Sequence, residues 1–212
     1  GYILASESCA LDLTNAKLFV SPFMQIDVYP INGNHEYIGN PQATVDYSAV
    51  NPHWKMEARN YTFVKKVDSL TSVRFVMIDT APFVAKYRSD PKYFRVKQQD
   101  WKKTTQWLDS VLRTSKEEWK VVVGHHPMYT SDFGQGSTYE LIKQVDPLLR
   151  KYDVDLYFFG HIHKFEHVHR NHMDYFATAN GGSKPRFANP WPYTKFVKRT
   201  LGFTVCSVSH EK

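Results

Sequence analysis

The chain has 212 residues, of which 42% are hydrophobic and 15% aromatic, enough for one substantial core, and its formal charge is +6. That charge favours an anionic partner, but Lys and Arg are scattered with no run of five, so nucleic-acid binding rests on charge alone. No apolar run reaches the roughly 18 residues of a membrane span, and the two cysteines, Cys9 and Cys206, form neither a disulfide framework nor a CxxC metal motif.

Taken in chain order, residues 1–25 read as an atypical N-terminal segment and 26–212 as the main domain, without an internal repeat or linker to divide it. Short β-branched runs bounded by turns predict strands at 26–31, 73–79, 119–123 and 154–159. The last three are almost continuously apolar, as strands buried on both faces are. Between the second and third, Trp101, Trp107, Leu108, Val111 and Leu112 share one side of a helix predicted over 97–113. A second helix is predicted over 138–151, with Leu141, Ile142, Val145, Leu148 and Leu149 inward. Residues 165–208 read as several shorter strands. Strand–helix–strand alternation argues an α/β layered fold.

Polar clusters follow three of the apolar runs. They are Gly33-Asn34-His35-Glu36, Gly124-His125-His126-Pro127 and Gly160-His161-Ile162-His163. In each, a glycine permits a sharp exit and metal-capable side chains come next, at the strand end where ligands of α/β sheets gather. A lone Gly-Asn-His is usually a turn, and a His-His pair can be a hydrogen-bonded core pair. Gly-His-x-His alone binds metal perhaps half the time. Together and in this order the clusters favour a metal site, and imidazole with amide oxygen suits Zn, Fe or Mn better than Ca or Mg.

These blocks resemble the signature motifs of calcineurin-like metallophosphoesterases, and more closely the small, tartrate-resistant purple acid phosphatase branch. Further support comes from Phe75-Val76-Met77-Ile78-Asp79-Thr80, from the Trp107-Leu108 helix and from Tyr175-Phe176-Ala177-Thr178-Ala179-Asn180-Gly181-Gly182. The resemblance implies a four-layer α/β/β/α sandwich, truncated at the N-terminus, and a hydrolase of phosphate monoesters using iron paired with Zn, Fe or Mn. It implies that Asn34, His125 and His161 hold one metal, that His163 holds another, and that His35 stands beside the bound phosphate as the catalytic residue. His126 falls where the family varies and has no assigned role. Glu36 is read as an orienting partner of His35 or a solvent-exposed cap, and Asp79 as structural. A bound cation of this kind lowers the pKa of water to roughly 7 and neutralises phosphoryl oxygens.

The family also carries a first-strand Asp and a Gly-Asp-x-x-Tyr block, which supply the remaining metal ligands. No Gly-Asp occurs in this sequence, and the early carboxylates Asp12 and Asp27 lie in other contexts. The reading therefore carries an alternative, a catalytically dead phosphatase fold that acts as a scaffold or anchor for protein partners. The expected substrate is a phosphorylated small molecule or phosphoprotein. A secreted or endomembrane location is expected from the resemblance and from the sequon Asn60-Tyr61-Thr62.

Overall fold

The computed structural model describes residues 26–178 and 189–210. Its strands are β1 (Tyr61–Lys66), β2 (Ser72–Met77), β3 (Trp119–Val123), β4 (Leu156–Phe159), β5 (Phe165–Arg170), β6 (Met173–Ala177) and β7 (Thr194–Lys198). All seven join one mixed sheet in the order β1-β2-β3-β4-β6-β5-β7. β2, β3 and β4 run parallel, with Val73 opposite Trp119 and Val121 opposite Leu156, whereas β1 pairs antiparallel with β2.

Parallel neighbours need a crossover, and helices supply it. Helices α1 (Ala43–Asp46) and α2 (Ala85–Ser89) are short, α3 (Trp101–Thr114) connects β2 to β3, and α4 (Tyr139–Gln144) with α5 (Asp146–Lys151) connects β3 to β4. Both crossovers step the same way across the sheet, and a uniform hand puts their helices on one face. Leu108, Leu112, Leu141 and Leu149 pack there against Val76, Val122, Tyr157 and Phe159. Full burial of each such leucine contributes about 1.5–3 kcal/mol. The alternate residues Met77, Val121, Val123 and Phe158 point to the other face, where Tyr29, Trp54 and Met56 cover them. The α/β expectation holds, and the apolar runs are those of strands buried on both faces. Among the described residues, the second face is covered by the irregular segment 28–56 rather than by a further sheet.

Three local expectations are corrected. Residues 26–31 make only the isolated bridge Val28–Trp54, because Pro30 has no N–H to donate. The helix expected over 97–113 starts at Trp101, since the Asp100 carboxylate accepts from Lys102 and Lys103 N–H and caps it there. The helix expected over 138–151 breaks at Val145, because Pro147 lacks an N–H and its ring collides with the preceding turn. Strand β1 was not foreseen. It is closed onto β2 by a turn in which Asp68 Oδ1 accepts from Leu70 N and Thr71 N at 2.8 and 2.7 Å.

Candidate metal centre

Because β2, β3 and β4 are parallel, the residues that follow them emerge at one edge of the sheet. Thr80 follows β2, Gly124-His125-His126 follow β3 and Gly160-His161-Ile162-His163 follow β4. Thr80 Oγ1 accepts from the backbone N–H groups of His125 and His126 at 3.2 and 3.1 Å, fixing the exit of β3. Gly160 N donates to His125 O at 3.0 Å, tying the exit of β4 to it. The His loop then curls so tightly that His161 and His163 adopt φ of 68° and 54°, a region few non-glycine residues occupy.

The fourth piece is the turn at 33–38, where Tyr37 N donates to Asn34 O and Ile38 N to His35 O. Glu36 holds this turn, accepting from Gly33 N at 2.7 Å. Gly33 lies flat on the His125 ring, and a Cβ there would stand 2.7 Å from its Nδ1. Glycine is what allows the turn to deliver Asn34 to His125.

The result is a buried meeting of donors. Asn34 Oδ1 lies 3.0 Å from His125 Nε2, which lies 3.1 Å from His161 Nδ1. Relative exposures are 4%, 1% and 8% for Asn34, His125 and His161, so water does not disperse these lone pairs. One N–H can serve both neighbours of His125 Nε2 only as a weakened, bifurcated bond. Ligands about 2.05 Å from one ion are roughly 2.9 Å apart in an octahedron and 3.3 Å in a tetrahedron, which brackets the observed separations. Burial first, and then the neighbouring His161, His35 and His163, hold the His125 pKa well below its ordinary value, so the ring is neutral with a lone pair to offer. The residues fit a transition-metal ion.

Three of the four ligands expected from sequence are thus brought into contact. His163 is half-buried two residues beyond His161, and His35 is exposed one residue past Asn34. Both act on His125 electrostatically.

Two members of the site were not assigned from sequence. His126 packs into the cluster, its ring tilted against that of His161 at a centroid distance of 4.6 Å and edge-on to that of His125 at 4.8 Å. Donor atoms of His125, His126 and His161 all lie within 4.8 Å of one another. The His126 Nδ1 contacts Thr80 Oγ1 at 2.8 Å, and its buried Nε2 has no hydrogen-bond partner among the described residues. The doubled histidine after a strand was the available signal. Gln135 is the other, its Oε1 3.0 Å from His161 Nε2. Nothing in the loop Phe133-Gly134-Gln135-Gly136 marks it in advance.

Carboxylates do not enter the histidine cluster among the described residues. Glu36 neither caps a solvent-exposed end nor turns to His35; it is buried and bonded to Gly33 N, and burial raises its pKa. Asp79 is 1% exposed and accepts a very short hydrogen bond from the Tyr37 hydroxyl. Asp27 is spent on the surface, 3.4 Å from His53 and 3.7 Å from Lys55. Cys9, Asp12, the segment 1–25 and the stretch 179–182 lie outside the described residues. The Asn60 amide is committed within the fold, accepting from Asp79 N at 2.8 Å and donating to Thr104 Oγ1 at 3.3 Å.

A family model described as calcineurin-like phosphoesterase matches residues 7–165. Purple acid phosphatase 7 of Arabidopsis thaliana is 32% identical over an alignment 211 positions long that covers 93% of this chain and 62% of that protein. Tartrate-resistant acid phosphatase type 5 of Oryctolagus cuniculus is 30% identical over an alignment 148 positions long that covers 66% of this chain and 44% of that protein. The chain thus spans less than two thirds of the length of these relatives. Among solved structures, the GAP50 anchor in the inner membrane complex of Plasmodium superposes with a TM-score of 0.66 at 23% identity, over 84% of this chain and 56% of that one. At that identity the likeness speaks to the fold alone.

Proposed function

The chain belongs to the calcineurin-like phosphoesterase family, and from that premise we propose that it hydrolyses phosphate monoesters at a metal ion held by Asn34, His125 and His161. The observation that carries this reading is the buried convergence of one amide oxygen and two imidazole nitrogens at 3.0–3.1 Å. His163 is assigned to a second ion, and iron paired with Zn, Fe or Mn is the metal content we expect. When bound, such ions lower the pKa of water toward neutrality and offset phosphoryl charge. The rest of the work falls to the chain. His35, exposed beside Asn34, can donate a proton to a phosphoryl oxygen or to the leaving group. Asn34, 4% exposed, contributes a ligand oxygen without negative charge, so an anionic substrate is not repelled. The substrate is a phosphorylated small molecule or phosphoprotein.

The test is metal analysis with hydrolysis of a chromogenic phosphate ester, repeated on His161→Ala. Metal content and rate should both collapse in the variant; a rate that survives the substitution removes the assignment. A second reading is a non-catalytic anchor, favoured by the absence of a carboxylate from the cluster among the described residues. Stoichiometric metal without turnover would select it. Secretory or endomembrane placement rests on the family resemblance, since the Asn60 amide is engaged within the fold, and among the described residues no helix is long and apolar enough to cross a membrane. Cell fractionation showing the chain in the cytosol would discard that placement.

A further inference from the structure

We propose that Gln135 is a positioning residue for His161: by accepting from its Nε2–H, it leaves Nδ1 as the lone pair that faces His125. This deepens the reading of Asn34, His125 and His161 as a metal centre and rests on it. The Gln135 Oε1 to His161 Nε2 distance is 3.0 Å, and on the other side of the ring His161 Nδ1 is 3.1 Å from His125 Nε2. A neutral imidazole has a single N–H, and a carboxamide oxygen can only accept. In the neutral ring the proton therefore sits on Nε2. The opposite amide orientation would move it to Nδ1 and aim it at His125, removing the lone pair from the centre.

Gln135 holds this place because its loop is clamped to the strand and loop that carry the histidines. Its N–H donates to Asp132 Oδ1 at 2.7 Å, and Asp132 Oδ2 pairs at 2.8 Å with Lys164, the residue directly after His163. Side-chain exposure in that ion pair is 0% for Lys164 and 1% for Asp132. Two residues on, buried Glu166 accepts from Thr130 Oγ1 and from the N–H and hydroxyl of Ser131. Both ends of the connection are thus fixed in an interior where a lost partner is costly. His161 needs such a brace, since its φ of 68° places the ring from an uncommon backbone conformation.

Partners that set the tautomer of a metal-ligating histidine typically govern 10–100-fold in metal affinity. The experiment uses the full chain, ¹⁵N-labelled and metal-free, at a pH of about 8, above the ordinary histidine range. Long-range ¹H–¹⁵N spectra identify the His161 tautomer, with His161→Gln assigning the signal, and calorimetry measures Zn(II) binding. Wild type should show the Nε2–H form. Gln135→Leu should give mixed tautomers and roughly 10–100-fold weaker Zn(II) binding. Gln135→Glu, which keeps an acceptor, should retain the Nε2–H form. If Gln135→Leu does not fold by circular dichroism, Gln135→Asn, whose shorter side chain withdraws the acceptor, carries the same expectation. An Nδ1–H form in wild type overturns the proposal, and so does a tautomer that ignores the loss of the acceptor. Wild type that binds no Zn(II) while its tautomer still follows residue 135 removes the metal reading and leaves the positioning role standing.

Discussion

Replacing Asp79 with Asn should flatten the part of the stability–pH curve that this one carboxyl controls. Asp79 is 1% exposed at the exit of β2. Burial above all raises its pKa from 3.8 to about 7, against the pull of the Tyr37 hydroxyl, the Ala81 N–H and Arg59. The native state therefore keeps this proton where the unfolded chain has released it. Its stabilisation is full below 3.8 and is lost as pH rises through about 7. That interval corresponds to roughly 4 kcal/mol in all, of which roughly 2 kcal/mol falls between pH 5.5 and 8.5. Urea unfolding followed by circular dichroism at those two pH values, on wild type and Asp79→Asn, isolates the effect because all other titrations are common to both. Wild type should lose about 2 kcal/mol more than the variant over the interval, or roughly 4–8 °C in Tm for a chain of this size. Parallel losses in the two proteins would refute the assignment of a raised pKa to Asp79.

The remaining expectations concern packing around the site. A Cβ on Gly124 would collide with the Tyr157 hydroxyl and stand 2.7 Å from Thr80 Cγ2, so Gly124→Ala should cost about 1–3 kcal/mol in a denaturant titration; an unchanged midpoint would show that the β3 exit is not confined. Lys164→Met leaves the Asp132 carboxylate, 1% exposed, without its cation, at a cost of about 3–5 kcal/mol. Adding Asp132→Asn, which keeps an acceptor for Gln135 N–H, should recover most of that cost, and a double variant as unstable as the single one would contradict a charge origin.

What could be read in the sequence was what repeats along the chain. β2, β3 and β4 announce themselves because each is buried on both faces over most of its length, so nearly every residue is apolar, and Val121-Val122-Val123 divides between the two cores one residue at a time. The three polar clusters stand out for the same reason, as abrupt changes at the ends of such runs. What escaped depends on returns of the chain that no local pattern encodes. Residues 26–31 look like a strand by composition, yet only Val28 finds a bridge partner. Tyr61 and Phe63 look unremarkable until Phe63 stacks between Tyr29 and Phe75, at centroid distances of 4.0 and 5.0 Å. Gln135 matters only because a buried ion pair between residues 32 apart in sequence brings its loop back over His161. The break at Val145 is the exception, since Pro147 stood in plain view.

Where the acids go decides the character of the site. Glu36 is used to close the turn that presents Asn34, and Asp79 is buried against Tyr37, while His125 and His126 are kept neutral by burial first and then by the neighbouring His161. The Asn34 amide and the His125 and His126 rings therefore bring no formal charge. A cation bound by neutral ligands keeps its full charge for what approaches next, and the species most favoured is an oxyanion such as a phosphate ester. The same neutrality removes the Coulombic share of metal affinity that a carboxylate ligand would add, so retention depends on how well the imidazole lone pairs are aimed. That makes the brace on His161 as consequential as the ligands themselves, and it explains why a loop with no motif of its own is fastened to the site by buried charges rather than left to the surface.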